Sequence, residues 1–201
     1  MVPKSRKAVQ SEATRGELMK VARALFAERG FAGTATEEIA ERAGVTRGAL
    51  YHHFRDKEDL FRAVYEEVEM ELAEKVVART LSLSQATRLE QLRAGAEAFL
   101  DACLDPAVQQ IALVDAPSVL GWETWRAIDA QYGFGLLRGG LQAAIDAGEI
   151  VDQPAGPLAH LLLGALDEAA LLIARADDVK AARSEVGAAV LRLLDGLRAK
   201  G

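Results

Sequence analysis

An all-α fold is predicted, with an N-terminal three-helix helix-turn-helix domain followed by a larger C-terminal helical domain. Apolar residues recur at three- and four-residue steps along most of the 201 residues, the helical period. β-branched alternation is absent, and no Asn-Gly or Asp-Gly hairpin signal appears between alternating runs. The charge is also split. Residues 1–60 carry 11 Lys and Arg against 9 Asp and Glu, and residues 61–201 carry 13 against 21. The net charge of −6 therefore hides a basic N-terminal unit, and whole-chain charge is a poor guide to partners.

Residues 1–11 are polar and read as a flexible basic tail. The first helix is placed from about Glu12 to Arg29, with Leu18, Val21, Ala22, Leu25 and Phe26 on its buried stripe. Gly30 stops it, because glycine takes the left-handed conformation without strain. Thr36 is placed as the cap of a short helix reaching about Ala43, with Ile39 and Ala40 inward. Gly44 turns the chain, and Thr46 caps a second short helix ending near His53. Asp56 opens a long helix on which Leu60, Val64, Val68, Leu72 and Val76 step by four.

A Thr/Ser-rich break at 80–87 follows. Helices are then expected over about Leu89–Leu104, Pro106–Asp115, Val119–Ala147, Pro157–Ala176 and Val179–Lys200. The third holds glycines 121, 133, 135, 139 and 140, each costing about 1 kcal/mol against alanine in a helix interior. It is expected to kink near Gly133–Gly135 or to be closely approached there. The most apolar stretch, Leu158–Ala174, is interrupted by His160, Asp167 and Glu168. It reads as a buried helix, short of the ~20 apolar residues a bilayer needs, so no membrane partner is expected. The basic N-terminus lacks the apolar run of a secretory signal.

The segment TEEIAERAGVTRGALYHHFRDK, Thr36–Lys57, carries the chemistry. Two short helices joined at a glycine make a helix-turn-helix. Ile39, Ala40, Val45, Leu50 and Phe54 can pack on the first helix. At 100° per residue, Gly48 and His52 point away from Leu50, with Ala49, Tyr51 and His53 flanking. Thr46 and Arg47 sit at a helix N-terminus, where free N–H groups and the dipole favour phosphate. Gly48, a poor helix former in an exposed position, suits a backbone that approaches DNA closely. Two ordinary packed helices are the bland alternative.

Residues 12–68 closely resemble the N-terminal DNA-binding domain of the TetR family of bacterial repressors. The resemblance is carried by ALFAERGFAGTATEEIAERAGVTRGALYHHFRDKEDLF: Phe26, Gly30-Phe31, Ile39-Ala40, Ala43-Gly44-Val45, Gly48, Leu50-Tyr51, His53-Phe54, Lys57-Glu58 and Leu60-Phe61. It implies a helix-turn-helix domain over 12–55 and a helical effector-binding and dimerisation domain over 56–201. It implies that Thr36 and Lys57 contact phosphate, and that Val45, Thr46, Arg47, Gly48 and Ala49 lie at the start of the recognition helix. Tyr51, His52 and His53 then face the DNA backbone or groove edges. Ala49 and His52 depart from the residues common at those positions; Ala49 retains contact with a thymine methyl as an option. Lys4, Arg6 and Lys7 either reach an adjacent groove or are solvated.

In the C-terminal part, Leu158, Leu162, Ala165, Ala169 and Leu172 form one apolar seam. Val179, Ala182, Val186, Ala189 and Leu193 form another, at the 3.5-residue spacing of near-parallel helices. An intrachain pair is one outcome; the resemblance implies a four-helix interface with a second copy. Trp122, Trp125, Tyr132 and Phe134 crowd one predicted helix. With Phe99, Cys103, Leu113 and His160 they are expected to line a small-molecule pocket, a role the resemblance implies and an ordinary core would rival. Glu123, Asp129, Gln131 and His160 are the candidate polar groups.

Other chemistry is poorly supported. No phosphate-binding glycine loop is present, and His52 and His53 diverge too far to share a metal. One cysteine, Cys103, excludes an intramolecular disulfide and suits a reducing cytoplasm. Glu66, Glu67, Glu69, Glu71 and Glu74 read as a solvated acidic face. The expectation is a cytoplasmic homodimeric repressor without cofactor or metal, released from a palindromic operator by an apolar or aromatic ligand. A regulator governed by a protein partner is the alternative, and an enzyme using the C-terminal cavity a weaker one.

Overall fold

A computed structural model describes residues 6–199, with the side chains of Arg6 and Lys7 outside the description. The expected groove contacts of Lys4, Arg6 and Lys7 therefore lie outside the described residues. Among those residues there are ten α-helices, two π-helical segments and no strand beyond an isolated bridge between Ile150 and Arg198.

Helix α1 spans Arg6–Arg29. Among the described residues it begins six residues before Glu12. RKAVQSEA contains neither Gly nor Pro and is rich in helix formers, which carries the helix through the expected tail. Leu18, Ala22, Leu25 and Phe26 are fully buried along one stripe. Helix α2, Thr36–Arg42, has Ala35 rather than Thr36 at its N-cap. Helix α3, Arg47–His53, is capped by Thr46, whose side chain accepts from the Ala49 N–H at 3.1 Å. Gly44 joins them at φ 67°, a conformation costly for residues with a Cβ. Helix α4, Lys57–Leu81, opens on Asp56, whose carboxylate accepts from the Asp59 N–H at 2.7 Å.

The rest is α5 (Arg88–Ala102), α6 (Pro106–Val108), α7 (Ala116–Asp129), α8 (Gly135–Asp146), α9 (Ala155–Ala174) and α10 (Val179–Asp195). Thr87 and Glu90 form a capping box at α5, satisfying two otherwise free donors. Two expected helices are altered. Gln109–Asp115 is π-helical, as is Ala130–Phe134. The single helix expected over Val119–Ala147 is thus divided, and it breaks again at Gly121, with φ 73° and ψ 159°. Single-turn π segments mark strained or functional places in helices. The tight approach of a neighbouring helix falls at Gly140 rather than at Gly133–Gly135: an added Cβ there would stand 2.8 Å from the Leu92 side chain of α5.

One hydrophobic cluster runs from Leu18, Phe26 and Leu50 through Phe61 and Val68 to Leu100, Ile111 and Ile173. Phe26, Phe31 and Phe61 pack with centroids 5.2–5.9 Å apart, a geometry favourable for aromatic quadrupoles. Helix α4 therefore supplies the floor of the helix-turn-helix unit and the wall of the C-terminal bundle. A smaller cluster around Leu89, Leu141, Ile150 and Ala159 closes the far end.

Helix α9 is long and apolar enough to cross a membrane by length and composition, and a third of its apolar window is buried. The expectation that this stretch falls short, and is simply buried, is corrected on both counts. Ala159, Leu163, Leu166, Ala170 and Ile173 face the core. Leu161 and Leu172 are 74% and 53% exposed.

Candidate nucleic-acid interface and ligand cavity

The amino end of α3 presents an exposed polar surface. Arg47 is exposed, pairs with Glu37 at 2.9 Å, and places its guanidinium 5.4 Å from the Tyr51 ring centroid. The Tyr51 hydroxyl lies 3.1 Å from the Thr36 hydroxyl. Hydrogen bonds from Thr36 and Arg47 hold the Tyr51 phenol below its ordinary pKa. Thr46, Gly48 and His52 are exposed, while Ala49 and His53 are half-buried. A Cβ added at Gly48 would meet only the Thr46 hydroxyl, at 3.8 Å. Nothing inside the protein requires glycine there, which fits close approach from outside. The His53 pKa is lowered by burial, with His52 and Arg15 adding repulsion.

Three expected contact residues sit differently. Val45 is half-buried against the core. Thr36 is buried, and its hydroxyl faces Tyr51 and Glu37. Lys57 turns inward: its ammonium donates to the carbonyls of Phe31 and Thr34 at 2.7 and 2.8 Å and lies 4.1 Å from the Phe31 ring centroid. Burial lowers its pKa. This ammonium ties the α1–α2 turn to α4.

The C-terminal domain encloses a cavity of about 260 Å³, near the lower edge of the 300–1,000 Å³ common for ligand sites. Leu72 and Val76 of α4, Phe99 of α5, Ala112 and Leu113 of the first π segment, Trp125 of α7 and Leu166 of α9 give it an apolar wall. Phe99, Leu113 and Trp125 are thus where the sequence places them. The other five expected lining residues lie elsewhere. Cys103 is in the core, with its thiol pKa raised by burial. Trp122 is 65% exposed. Phe134 stacks on His160 at 4.2 Å, outside the cavity. Tyr132 and Gln131 border a shallow groove with Met70 and Leu81. The π turn at Ala130–Phe134 rotates Tyr132 and Phe134 away from the face that Trp125 occupies, which a regular helical period does not anticipate.

Of the polar candidates, Asp129 lines the cavity, Glu123 is exposed, and Gln131 and His160 are outside. The cavity also holds Tyr65, Glu69 and Asp167. Glu69 is not part of a solvated face: it is 8% exposed. The signal that marks it is its position, one residue after Val68 and three before Leu72 on the buried stripe. Burial, with Asp129 nearby, pushes its pKa up to about 8, and burial beside Asp129 pushes Asp167 to about 7. No group of three or more metal-ligating side chains occurs among the described residues.

Of the expected interface residues, Leu172, Ala189 and Leu193 are exposed in the single chain, and Leu158, Leu162, Ala165 and Val186 are half-buried. Ala169 is buried inside the protomer. The seam drifts inward there, and the outward stripe of α9 runs instead through Leu161, Gly164, Glu168 and Leu172.

A bundle of this shape, with a helix-turn-helix mounted on a long shared helix, defines a class of DNA-binding regulators. Residues 18–64 match the family described as bacterial regulatory proteins, tetR family, and residues 89–197 match the tetracyclin repressor-like C-terminal domain. A TetR-family transcriptional regulator from Pectobacterium atrosepticum superimposes with a TM-score of 0.80 at 34% identity, over 98% of this chain and 99% of that one. The transposon Tn10 TetC protein of Escherichia coli is 27% identical over 153 residues, 76% of each chain. The transcriptional repressor KstR2 of Mycobacterium tuberculosis is 49% identical over 55 residues, 27% of this chain and 28% of that protein. AibR, solved with isovaleryl coenzyme A and operator DNA, shares the fold at 23% identity and a TM-score of 0.67, over 90% of this chain and 97% of that one. The chain belongs to the TetR family of transcriptional regulators and is a DNA-binding regulator of transcription.

Proposed function

We propose that the protein is a homodimeric repressor that binds a palindromic operator and releases it when a small molecule fills the C-terminal cavity. The observation that carries this reading is the double duty of α4. Its first turns pack under the helix-turn-helix through Leu60 and Phe61, and its next turns wall the cavity through Tyr65, Glu69 and Leu72. A second connection supports it. Ala112 and Leu113 line the cavity, and two residues on, Asp115 accepts from the Phe31 N–H at 2.7 Å. A ligand that shifts either element moves the recognition helices away from the one-turn spacing, ~34–36 Å, of successive major grooves. AibR, crystallised with an acyl coenzyme A and its operator, offers a precedent for ligand and DNA binding within this fold.

The test begins with DNA selected from a random pool. Trp125 lines the cavity, and the Arg126 guanidinium lies 4.6 and 4.4 Å from the centroids of Trp122 and Trp125. Emission from this pair should report cavity occupancy. An effector found that way is expected to lose affinity about 5–150-fold when operator is present, and operator to lose affinity by the same factor when effector is present. Equal affinities in the two titrations would reject release by that compound.

The DNA face makes a separate prediction. Arg47→Ala is expected to weaken binding to all sequences alike and to lower the salt slope by about one, as for one lost phosphate contact. Lys57→Ala is expected to leave the slope unchanged while lowering thermal stability, since it removes two charge-assisted bonds within the fold. Anisotropy titrations across a range of salt, with thermal melts, decide this. A slope lowered by Lys57→Ala but not by Arg47→Ala would reverse the assignment.

A further inference from the structure

The polar groups of the cavity are unevenly matched. Asp129 is answered by Arg126, whose guanidinium donates to it at 3.0 Å. Glu69 and Asp167 form no ion pair among the described residues, and Glu69 is more than nine-tenths buried, with Tyr65 of the same helix as its polar neighbour. One turn before Glu69 on α4 stands the hydroxyl of Tyr65. Tyr65 is fully buried and lines the cavity; its hydroxyl interacts with the Glu69 carboxyl but is the sole buried side-chain oxygen or nitrogen among the described residues without a hydrogen bond of good geometry. Two helices, α4 and α9, thus bring a phenol and two carboxyl groups without a counter-charge to one chamber whose remaining wall is largely apolar.

Burying polar groups without partners is costly, and a core built for stability alone would place Phe and Leu here. The groups facing Glu69 are Tyr65 on its own helix, Asp129 from α7 and Asp167 from α9. The one cation close by, Arg126, is engaged with Asp129 and the two indole rings. Arg88 stands exposed at the rim, bonded to Gln91. The chamber therefore offers carboxyl groups and acceptor oxygens, and among the described residues no interior basic group is free to meet an anion.

We infer that the cavity takes an organic cation with an apolar body, its positive head between Glu69 and Asp167 near the Tyr65 hydroxyl and its body against Leu72, Phe99 and Leu113. This rests on the cavity being the effector site. It also sets the ligand apart from acyl coenzyme A compounds, whose phosphates would meet the acidic groups. Burial raises the pKa of both carboxyl groups and so favours their protonated form. A bound cation favours the ionised form, so its entry displaces a proton to solvent.

The experiment uses a graded series of aryl-alkyl trimethylammonium ions, benzyltrimethylammonium the smallest. Each is paired with its neutral tert-butyl isostere and its carboxylate analogue. Calorimetry on the full-length protein near neutral pH, in two buffers of different ionisation enthalpy, reads affinity and proton release together. At least one ammonium ion is expected to bind about tenfold or more tighter than its isostere and to release protons. Glu69→Gln is expected to remove that preference, leaving the isostere's affinity within about twofold. Asp167→Asn, isosteric and on another helix, is expected to act in the same direction. Tighter binding of the isostere or the carboxylate, seen also in Trp emission, would overturn the cation inference and leave the effector reading standing. So would an unchanged preference in both variants. If no compound of the three kinds bound, the inference and the effector reading would fall together.

Discussion

Leu161→Glu is expected to convert the protein into a folded monomer and to weaken operator binding by about two orders of magnitude or more. Leu161 is 74% exposed in the single chain, so the substitution removes little from the protomer core. Leu172 lies three turns along α9 at 53%, and Leu193 on α10 at 58%. Large apolar groups gathered on two adjacent helices mark an association surface. A second copy is the occupant we propose for it, in an interface of roughly 2,000 Å² in total as for obligate dimers. A charge placed at its centre meets apolar surface without a counter-ion, and such burial is strongly opposed. Separated protomers lose the effective concentration that links two half-sites, worth roughly 10²–10⁴ in affinity. Sedimentation and circular dichroism read the two halves of the expectation. A dimer of unchanged affinity would place the interface elsewhere, and partition of the wild type into membranes would give α9 a different occupant.

How far the sequence reaches differs from residue to residue. Thr46, Asp56, Gly44 and Gly30 are legible because capping and left-handed turns depend on local chemistry. The buried stripe of α4 is legible because a 3.6-residue period repeats over many turns. The cavity is legible only in part. Phe99, Leu113 and Trp125 sit in it, but each π segment inserts a residue into the helical period, and composition carries no sign of that. Tyr132 and Phe134 consequently face elsewhere. Glu69 escapes for a different reason: it belongs to a run of acidic residues whose other members are half-buried or exposed, and residue type alone suggests exposure. Lys57 shows a third kind of limit. Its place at the start of α4 is foreseeable, but the carbonyls it binds belong to a turn 23 and 26 residues earlier in the chain.

The buried carboxyl groups should make stability fall as pH rises through neutrality. The Glu69 pKa is raised from 4.5 to about 8 and that of Asp167 from 3.8 to about 7, in both cases by burial first and Asp129 second. The folded state then holds protons that the unfolded chain has released. A raised acid contributes its full stabilisation below the unfolded value and loses it as pH climbs through the folded value. Each tenfold difference in proton affinity between the folded and unfolded chain corresponds to about 1.4 kcal/mol. The decline between about pH 5 and about pH 8 should thus reach several kcal/mol. Asp129, also raised by burial, adds in the same direction. His53, lowered by burial, opposes it up to its unfolded pKa. The lowered carboxylates Asp59 and Glu71, paired with Arg55 and Arg23, lose their stabilisation only at more acid pH. Glu69→Gln keeps the shape and removes the titration. Urea unfolding across the window is expected to show a steep fall for the wild type and a much shallower one for the variant, with the variant the more stable near pH 8. Parallel curves would mean that Glu69 does not hold a proton in the folded chamber.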